Sequence, residues 1–312
     1  MRKKALRWTR DDTELTLLGL PAFIWYAVFA FLPMFGVIIA FKNYKVFPGH
    51  SFISSLIQSD WAGFKNFAFF IKNKNFSILL RNTLGYNIIF ILLGIIIPVT
   101  FAILSNLIYS KAKSKFYQTF MFFPHFMSWV VASYFVYAFL SPDKGLMNTF
   151  LRSLGKDPVM WYSSPSYWPF ILVIMNVWKT TGYSMVVYLA SISGIDASLY
   201  EAAVIDGASI PQQVRYITLP SIKTVVVMMF ILSVGRIFYS DFGLFYQITQ
   251  GIPRSLFNVA STFDTFVYSA LRGTDPIGRT AAVSILQSFA CMITILLANF
   301  IVSKVDEDSA LI

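Results

Sequence analysis

Residues 194–223 read GIDASLYEAAVIDGASIPQQVRYITLPSIK, a polar interlude set between two apolar runs. Its local signals are dense. Ser198-Leu-Tyr-Glu201 fits a capping box, with a hydroxyl at the N-cap and a carboxylate returning from the third helical position. Ala202, Ala203, Val204 and Ile205 extend a short helix, and Gly207 is placed to end it in the left-handed conformation. Ser209-Ile-Pro-Gln212 is a second start signal with proline in the first turn. The stretch therefore predicts helix, glycine turn, helix. Helices this short are marginal alone, so they are expected to dock on a partner.

What flanks this loop sets the fold. Hydrophobic residues make up 56% of the 312 and charged residues 13%, with 32 phenylalanines. Soluble chains carry about 25% charged residues to cover their surface, which excludes a soluble enzyme, a disordered chain and a secreted disulfide scaffold. A hydrocarbon core about 30 Å thick needs roughly 20 apolar helical residues. Bracketing the uncharged runs by their nearest charges predicts six spans, at about 15–41, 82–110, 116–141, 168–192, 217–239 and 280–303. The fourth contains Lys179, and the fifth contains Lys223 and Arg236. Acidic Asp11, Asp12 and Glu14 follow the basic prefix, so the first run reads as a retained helix rather than a signal peptide. Two outer loops, 42–81 and 240–279, are long, and aromatic residues 64–76 suit the membrane interface.

Basic residues in short loops mark the cytoplasmic side. Arg2, Lys3, Lys4, Arg7 and Arg10 precede the first span, and Lys111, Lys113 and Lys115 crowd the second connection. The expected fold class is therefore an all-α polytopic membrane protein with six transmembrane helices, N-in and C-in. Segment 1–14, loop 194–216 and tail 304–312 would then be cytoplasmic, around a transmembrane domain at 15–303. The net charge of +10 suits anionic lipid headgroups, not nucleic acid, because many basic residues flank apolar runs.

Enzymatic chemistry finds little support. Cys291 is the single cysteine, no metal-ligand spacing occurs, and His50 and His125 lie far apart. None of the six spans contains Asp or Glu, which leaves no paired carboxylates for a membrane-embedded enzyme. No G-x-x-x-x-G-K-[ST] phosphate loop occurs, so the chain is expected to bind no ATP itself.

The loop also carries a resemblance. Glu201-Ala202-Ala203, three residues, Gly207, nine residues, then Ile217-x-Leu219-Pro220 is the complete E-A-A-x3-G-x9-I-x-L-P pattern. It is similar to the EAA loop of ATP-binding-cassette importer permeases. Upstream, NVWKTTGYSMVVYLASISGID (176–196) resembles the maltose-permease-like carbohydrate group. Downstream, SDFGLFYQITQG, STFDTFVYSAL and IGRTAAVSILQS resemble its polysaccharide and oligosaccharide branch. The likeness covers roughly 82–302. One departure is Gln250-Gly251-Ile252-Pro253, where many sugar permeases have a GGP loop.

The resemblance implies a coupling helix that sits in a groove of a cytosolic ATPase, with Glu201, Ala202, Ala203, Asp206, Gly207, Ile217, Leu219 and Pro220 as coupling residues. Glu201 suits either a basic partner or the capping of its own helix. Implied partners are a second permease chain forming a heterodimer, two ATPase subunits holding ATP and Mg, and an extracytoplasmic solute-binding protein. The implied function is import of a carbohydrate, an oligosaccharide, by alternating access across the cell membrane. A permease for a peptide or glycerol phosphate is the same-class alternative. A stand-alone carrier would leave the EAA loop unexplained.

A solute path needs polar groups inside the membrane. Asn176, Lys179 and Tyr183 share a helical face, and a buried lysine normally faces a cavity or partner. For Lys179, a solute path, hydrogen bonding to carbonyls and snorkelling remain open. Arg236 and Tyr239 are further path residues; Arg236 either snorkels or pairs with Asp241. Trp178, Phe238, Tyr239 and Phe242 suit sugar stacking or an aromatic belt.

Overall fold

The computed structural model describes residues 9–273 and 275–305. The prefix cations Arg2, Lys3, Lys4 and Arg7 and the tail 306–312 lie outside the described residues. The chain is helical: α1 (Arg10–Tyr26), α2 (Phe52–Gln58), α3 (Lys65–Ile71), α4 (Phe76–Asn106), α5 (Lys111–Phe126), α6 (Trp129–Leu140), α7 (Leu146–Ser153), α8 (Trp168–Ser193), α9 (Ala197–Ile205), α10 (Ile210–Gln213), α11 (Leu219–Ser221), α12 (Lys223–Val234), α13 (Phe257–Ala260), α14 (Phe263–Arg272) and α15 (Ile277–Val305). Four continuous stretches, Arg10–Phe41, Phe76–Asn106, Pro165–Ser193 and Ile277–Lys304, have the length and apolarity to cross a membrane. Two bent pairs, Lys111–Phe126 with Trp129–Leu140 and Ile210–Ser221 with Lys223–Val234, raise the number to as many as six.

The contacts divide the chain into two units. The first holds residues up to 72 and residues 273–285. In it α1 continues through a π stretch (Ala27–Phe31) and a 3-10 stretch (Leu32–Phe41). No residue of α1 is buried, as an apolar helix facing lipid would require. Residues 42–72, part of the stretch 42–81 expected as loop, are tied down by carbonyl contacts. The Lys42 ammonium donates to the carbonyls of Leu56 (2.7 Å), Ile57 and Ser59 at the end of α2. The Asn66 amide donates to those of Ala40 and Lys42. Gly278 lets the start of α15 approach the Lys42 carbonyl, where a Cβ would collide. Arg279 lies 3.7 Å over the Phe69 ring.

The second unit holds 73–272 and 286 onward. Packing of α4 with α8 builds one core around Val99, Ala102, Met185, Tyr188, Ile192 and Ile222. Another gathers Tyr86, Ala132, Val136, Trp168, Leu172 and Phe245. At Gly182 α8 approaches α5 closely: any Cβ there would overlap the Met121 carbonyl.

Two of the expected spans are not continuous. The run at 116–141 is broken between α5 and α6 by a 99° bend. Pro124 cannot donate to the helix ladder, and Ser128 then caps α6 by accepting from the Val131 N–H at 3.2 Å. The Lys179 ammonium reaches across from α8 to the carbonyls of Pro124 (3.5 Å), His125 (2.8 Å) and Met127. It thereby occupies the electronegative end of α5. The run at 217–239 bends by 58°, and its second helix stops at Val234. Residues 235–239 are unwound, and their carbonyls are caught by amides from other helices. Asn87 of α4 donates to the carbonyls of Ile237 and Tyr239, both at 2.8 Å, and Gln287 of α15 to that of Phe238 at 3.0 Å. Irregular backbone at membrane depth persists where protein satisfies it in this way. Arg236 and Tyr239 therefore sit past a helix end, not on a helix.

Candidate functional site

The loop between α8 and α12 forms the expected helix, turn and helix, with one correction. The cap of α9 is Asp196, not Ser198. Its carboxylate accepts from the Ser198 N–H at 2.9 Å. Bonds from the Ser198 backbone and then its hydroxyl hold the Asp196 carboxyl below the usual carboxylate range. Both residue types cap helices well, and the helix starts two residues earlier, at Ala197.

Glu201 consequently plays no capping part; it is exposed and has no hydrogen-bond or ion-pair partner among the described residues. Asp206 closes α9, and Gly207 follows at φ 75° in the left-handed region, which costs glycine nothing. Ser209 and Gln212 form the second capping box. Ala202 is exposed and Ala203 partly covered. Ile217 lies in a π stretch (Val214–Thr218) that leads into Leu219 and Pro220 of α11.

The outward surface of this element is apolar: Leu199, Val204, Ile205 and Ile210 are all exposed, Ile205 to 85%. No residue of α9 or α10 is buried. One side-chain bond ties α9 to the helix beyond it. The Tyr200 hydroxyl meets that of Thr218 at 2.9 Å, and Thr218 is buried.

A cavity of 470 Å³ opens between α4, α8 and the end of α12. Its polar lining includes Asn87, Asn176, Thr180, Ser184, Arg236, Tyr239 and Asp241, with Phe90, Tyr188 and Met229 among the apolar residues. Of the path residues expected from sequence, it brings together Asn176, Arg236 and Tyr239. It leaves out Lys179 and Tyr183. The lining face of α8 runs through Asn176, Thr180, Ser184 and Tyr188, one position round the helix from the face expected. Lys179 turns instead to the break, with Trp129 5.3 Å beneath it. Tyr183 stacks on His125 at 4.8 Å.

Arg236 does not pair with Asp241. The Asp241 carboxylate accepts from Trp129 Nε1 at 2.6 Å and from the N–H groups of Gly243 and Leu244. The Tyr239 hydroxyl is 2.7 Å from that of Ser288. Phe242 stacks on Tyr246 at 4.9 Å and packs against Tyr268. Sequence reasoning missed Asn87 and Ser184. The available signal was an amide inside an apolar run, since polar groups at membrane depth are usually engaged.

Comparison with known proteins follows the same lines. The profile of the family described as "Binding-protein-dependent transport system inner membrane component" matches residues 91–307. Protein LplB of Bacillus subtilis (strain 168) is 32% identical, over 98% of this chain and 94% of that one. The polygalacturonan/rhamnogalacturonan transport system permease protein YteP of the same organism is also 32% identical, over 98% and 93%. Among solved structures, a chain of a bacterial alginate ABC transporter in complex with an alginate pentasaccharide-bound periplasmic protein superposes with a TM-score of 0.83. It is 29% identical, with 95% of this chain and 96% of that one covered.

Proposed function

The chain belongs to the family of binding-protein-dependent transport system inner membrane components, a multi-pass membrane permease, and from that membership we propose that it moves an oligosaccharide across the cell membrane by alternating access under ATP-driven force. ATP and Mg are held on separate ATPase chains; this chain holds neither. It forms half of the translocation path, with a second permease subunit supplying the other half as a heterodimer. Two cytosolic ATPase subunits and an extracytoplasmic solute-binding protein complete the assembly. The names of the relatives, which concern polygalacturonan and alginate, support a saccharide as the solute.

One observation carries the mechanism. The α9–α10 element displays apolar side chains and an unpartnered Glu201 while remaining tied to α8 by the chain and to Thr218 by Tyr200. Exposed apolar patches rimmed by charge mark interaction sites. On this reading α9 seats in a groove of an ATPase subunit on the cytoplasmic side. Closure of two ATPase subunits around ATP would pull α9, and the rigid tie at Thr218 would carry the pull into α11 and α12. The 58° bend between them is the natural hinge for such a rigid-body switch. Movement of α12 displaces the unwound 235–239 segment, which lines the cavity, and so changes access to it.

The test is reconstitution of the full complex in proteoliposomes. Saccharide uptake should require ATP and the ATPase chains, and should vanish in Gly207→Val while insertion persists. Uptake by this chain without ATPase subunits would overturn the reading.

A further inference from the structure

The cavity's charged groups are unequally satisfied. Asp241 has its oxygens taken by Trp129, Gly243 and Leu244. Asp264, close by, accepts from the Ser240 N–H at 2.7 Å, the Ser240 hydroxyl at 2.8 Å and Gln287. Both carboxylates are thus committed to the scaffold. Arg236, by contrast, lines the cavity with no hydrogen bond or ion pair from its guanidinium among the described residues. A guanidinium carries five N–H donors in a planar fork and no acceptor. The only group it can complete is one that brings acceptors.

The neutral lining sharpens this. The Asn87 amide nitrogen is spent on the carbonyls of Thr83, Ile237 and Tyr239. Those bonds hold the unwound segment that carries Arg236, so the guanidinium is presented by a braced backbone. The side chains of Asn176 and Ser184 line the same cavity without a hydrogen-bond partner among the described residues. They supply donor and acceptor capacity suited to hydroxyls. Phe90 offers a flat apolar face beside them, while Tyr188, only 1% exposed, belongs to the core behind it. The set is one unfilled cationic fork, two polar groups for hydroxyls that have no partner among the described residues, and one ring for a sugar face.

We propose that the solute recognised in this cavity is an acidic oligosaccharide, with Arg236 binding a uronate carboxylate in the two-pronged geometry that arginine forms with carboxylates. This rests on the reading of the chain as a saccharide permease. Arg236 sets the preference for charge; Asn176 and Ser184 serve any sugar hydroxyl. Lysine would keep the charge and lose the fork.

The assembled complex in lipid nanodiscs, without solute-binding protein, is titrated calorimetrically with tri-galacturonate and with its trimethyl ester. The ester keeps the sugar backbone and its hydroxyls and replaces each carboxylate by a neutral methyl ester. The wild type should bind the acid at least tenfold more tightly than the ester. Arg236→Gln should lose about tenfold in affinity for the acid but at most about twofold for the ester, and Arg236→Lys should fall between wild type and Arg236→Gln for the acid. Equal binding of acid and ester by the wild type overturns the proposal without needing any variant to fold. So does an equal loss of both ligands in Arg236→Gln. ATP-driven uptake of neutral oligosaccharides alone would also overturn it while leaving the saccharide permease reading intact. Uptake of no saccharide at all, with peptides taken up instead, would remove that reading and this proposal together.

Discussion

Replacing Lys179 with methionine keeps the length of the side chain and removes its three donors. The ammonium donates to the carbonyls of His125 and Met127, with a longer contact to that of Pro124. Leaving two partly buried carbonyls without a donor costs about 1–3 kcal/mol each. Loss of a cation from a helix C-terminus adds about 1–2 kcal/mol, and loss of the Trp129 ring contact about 0.5–1 kcal/mol. Against this, removing lysine from the membrane interior regains about 2.5–3.5 kcal/mol. The opposing effects leave a net destabilisation of about 3 kcal/mol at mid-range, within bounds of about 0–6 kcal/mol, centred on the break between α5 and α6. Unfolding of the purified protein in mixed micelles of rising SDS fraction, followed by circular dichroism, reads this directly. Lys179→Met should unfold at a clearly lower SDS fraction, while Lys179→Arg, which can still reach the same carbonyls, should recover most of the loss. In transport, KM for solute should stay near the wild-type value while the amount of folded protein falls. An unchanged unfolding midpoint together with a raised KM would refute the reasoning and return Lys179 to the solute path.

Three further outcomes follow from the same contacts. Gly207→Val places a β-branched residue at φ 75°, costing about 1–2 kcal/mol; ATP-driven uptake should collapse while membrane insertion, measured by surface labelling, stays normal. Tyr200→Phe removes only the hydroxyl bonded to Thr218, worth about 0.5–1.5 kcal/mol. ATP hydrolysis should continue while solute moved per ATP drops severalfold, and Thr218→Ser should retain wild-type coupling. Gly182→Leu drives a side chain into the Met121 backbone, an overpacking of about 1–3 kcal/mol or more; the folded yield should fall sharply, and a normal yield would show that α5 and α8 are not in contact there.

The regions that sequence reads well are those governed by neighbours in the chain. Gly207 and the Ser209–Gln212 box announce their turn and helix within four residues, and both form as expected. The apolar runs likewise mark where helices lie, because burial in lipid depends on composition alone. The cap of α9 shows the limit of local rules. Asp196 and Ser198 are both good caps, and the helix starts after the first of them. Prolines make the same point. Pro98 sits inside an unbroken α4, whereas Pro124 precedes a sharp break, whose carbonyls are met by Lys179, 54 residues beyond His125. The unwound 235–239 segment is stabilised by Asn87, some 150 residues earlier, which no local pattern reveals. The cavity inherits this problem, since the lining face of α8 was fixed by how α5 packs on it and not by the spacing of its polar residues.

Coupling to ATP depends on α9 being gripped from the cytosol by another polypeptide. A photoreactive amino acid placed at Val204 in the assembled complex, in membrane vesicles of known orientation, tests this most directly. Irradiation should join this chain to an ATPase subunit, and the yield should change when ATP is added. A crosslink to the extracytoplasmic solute-binding protein, or labelling of position 204 only from the outer face, would contradict it.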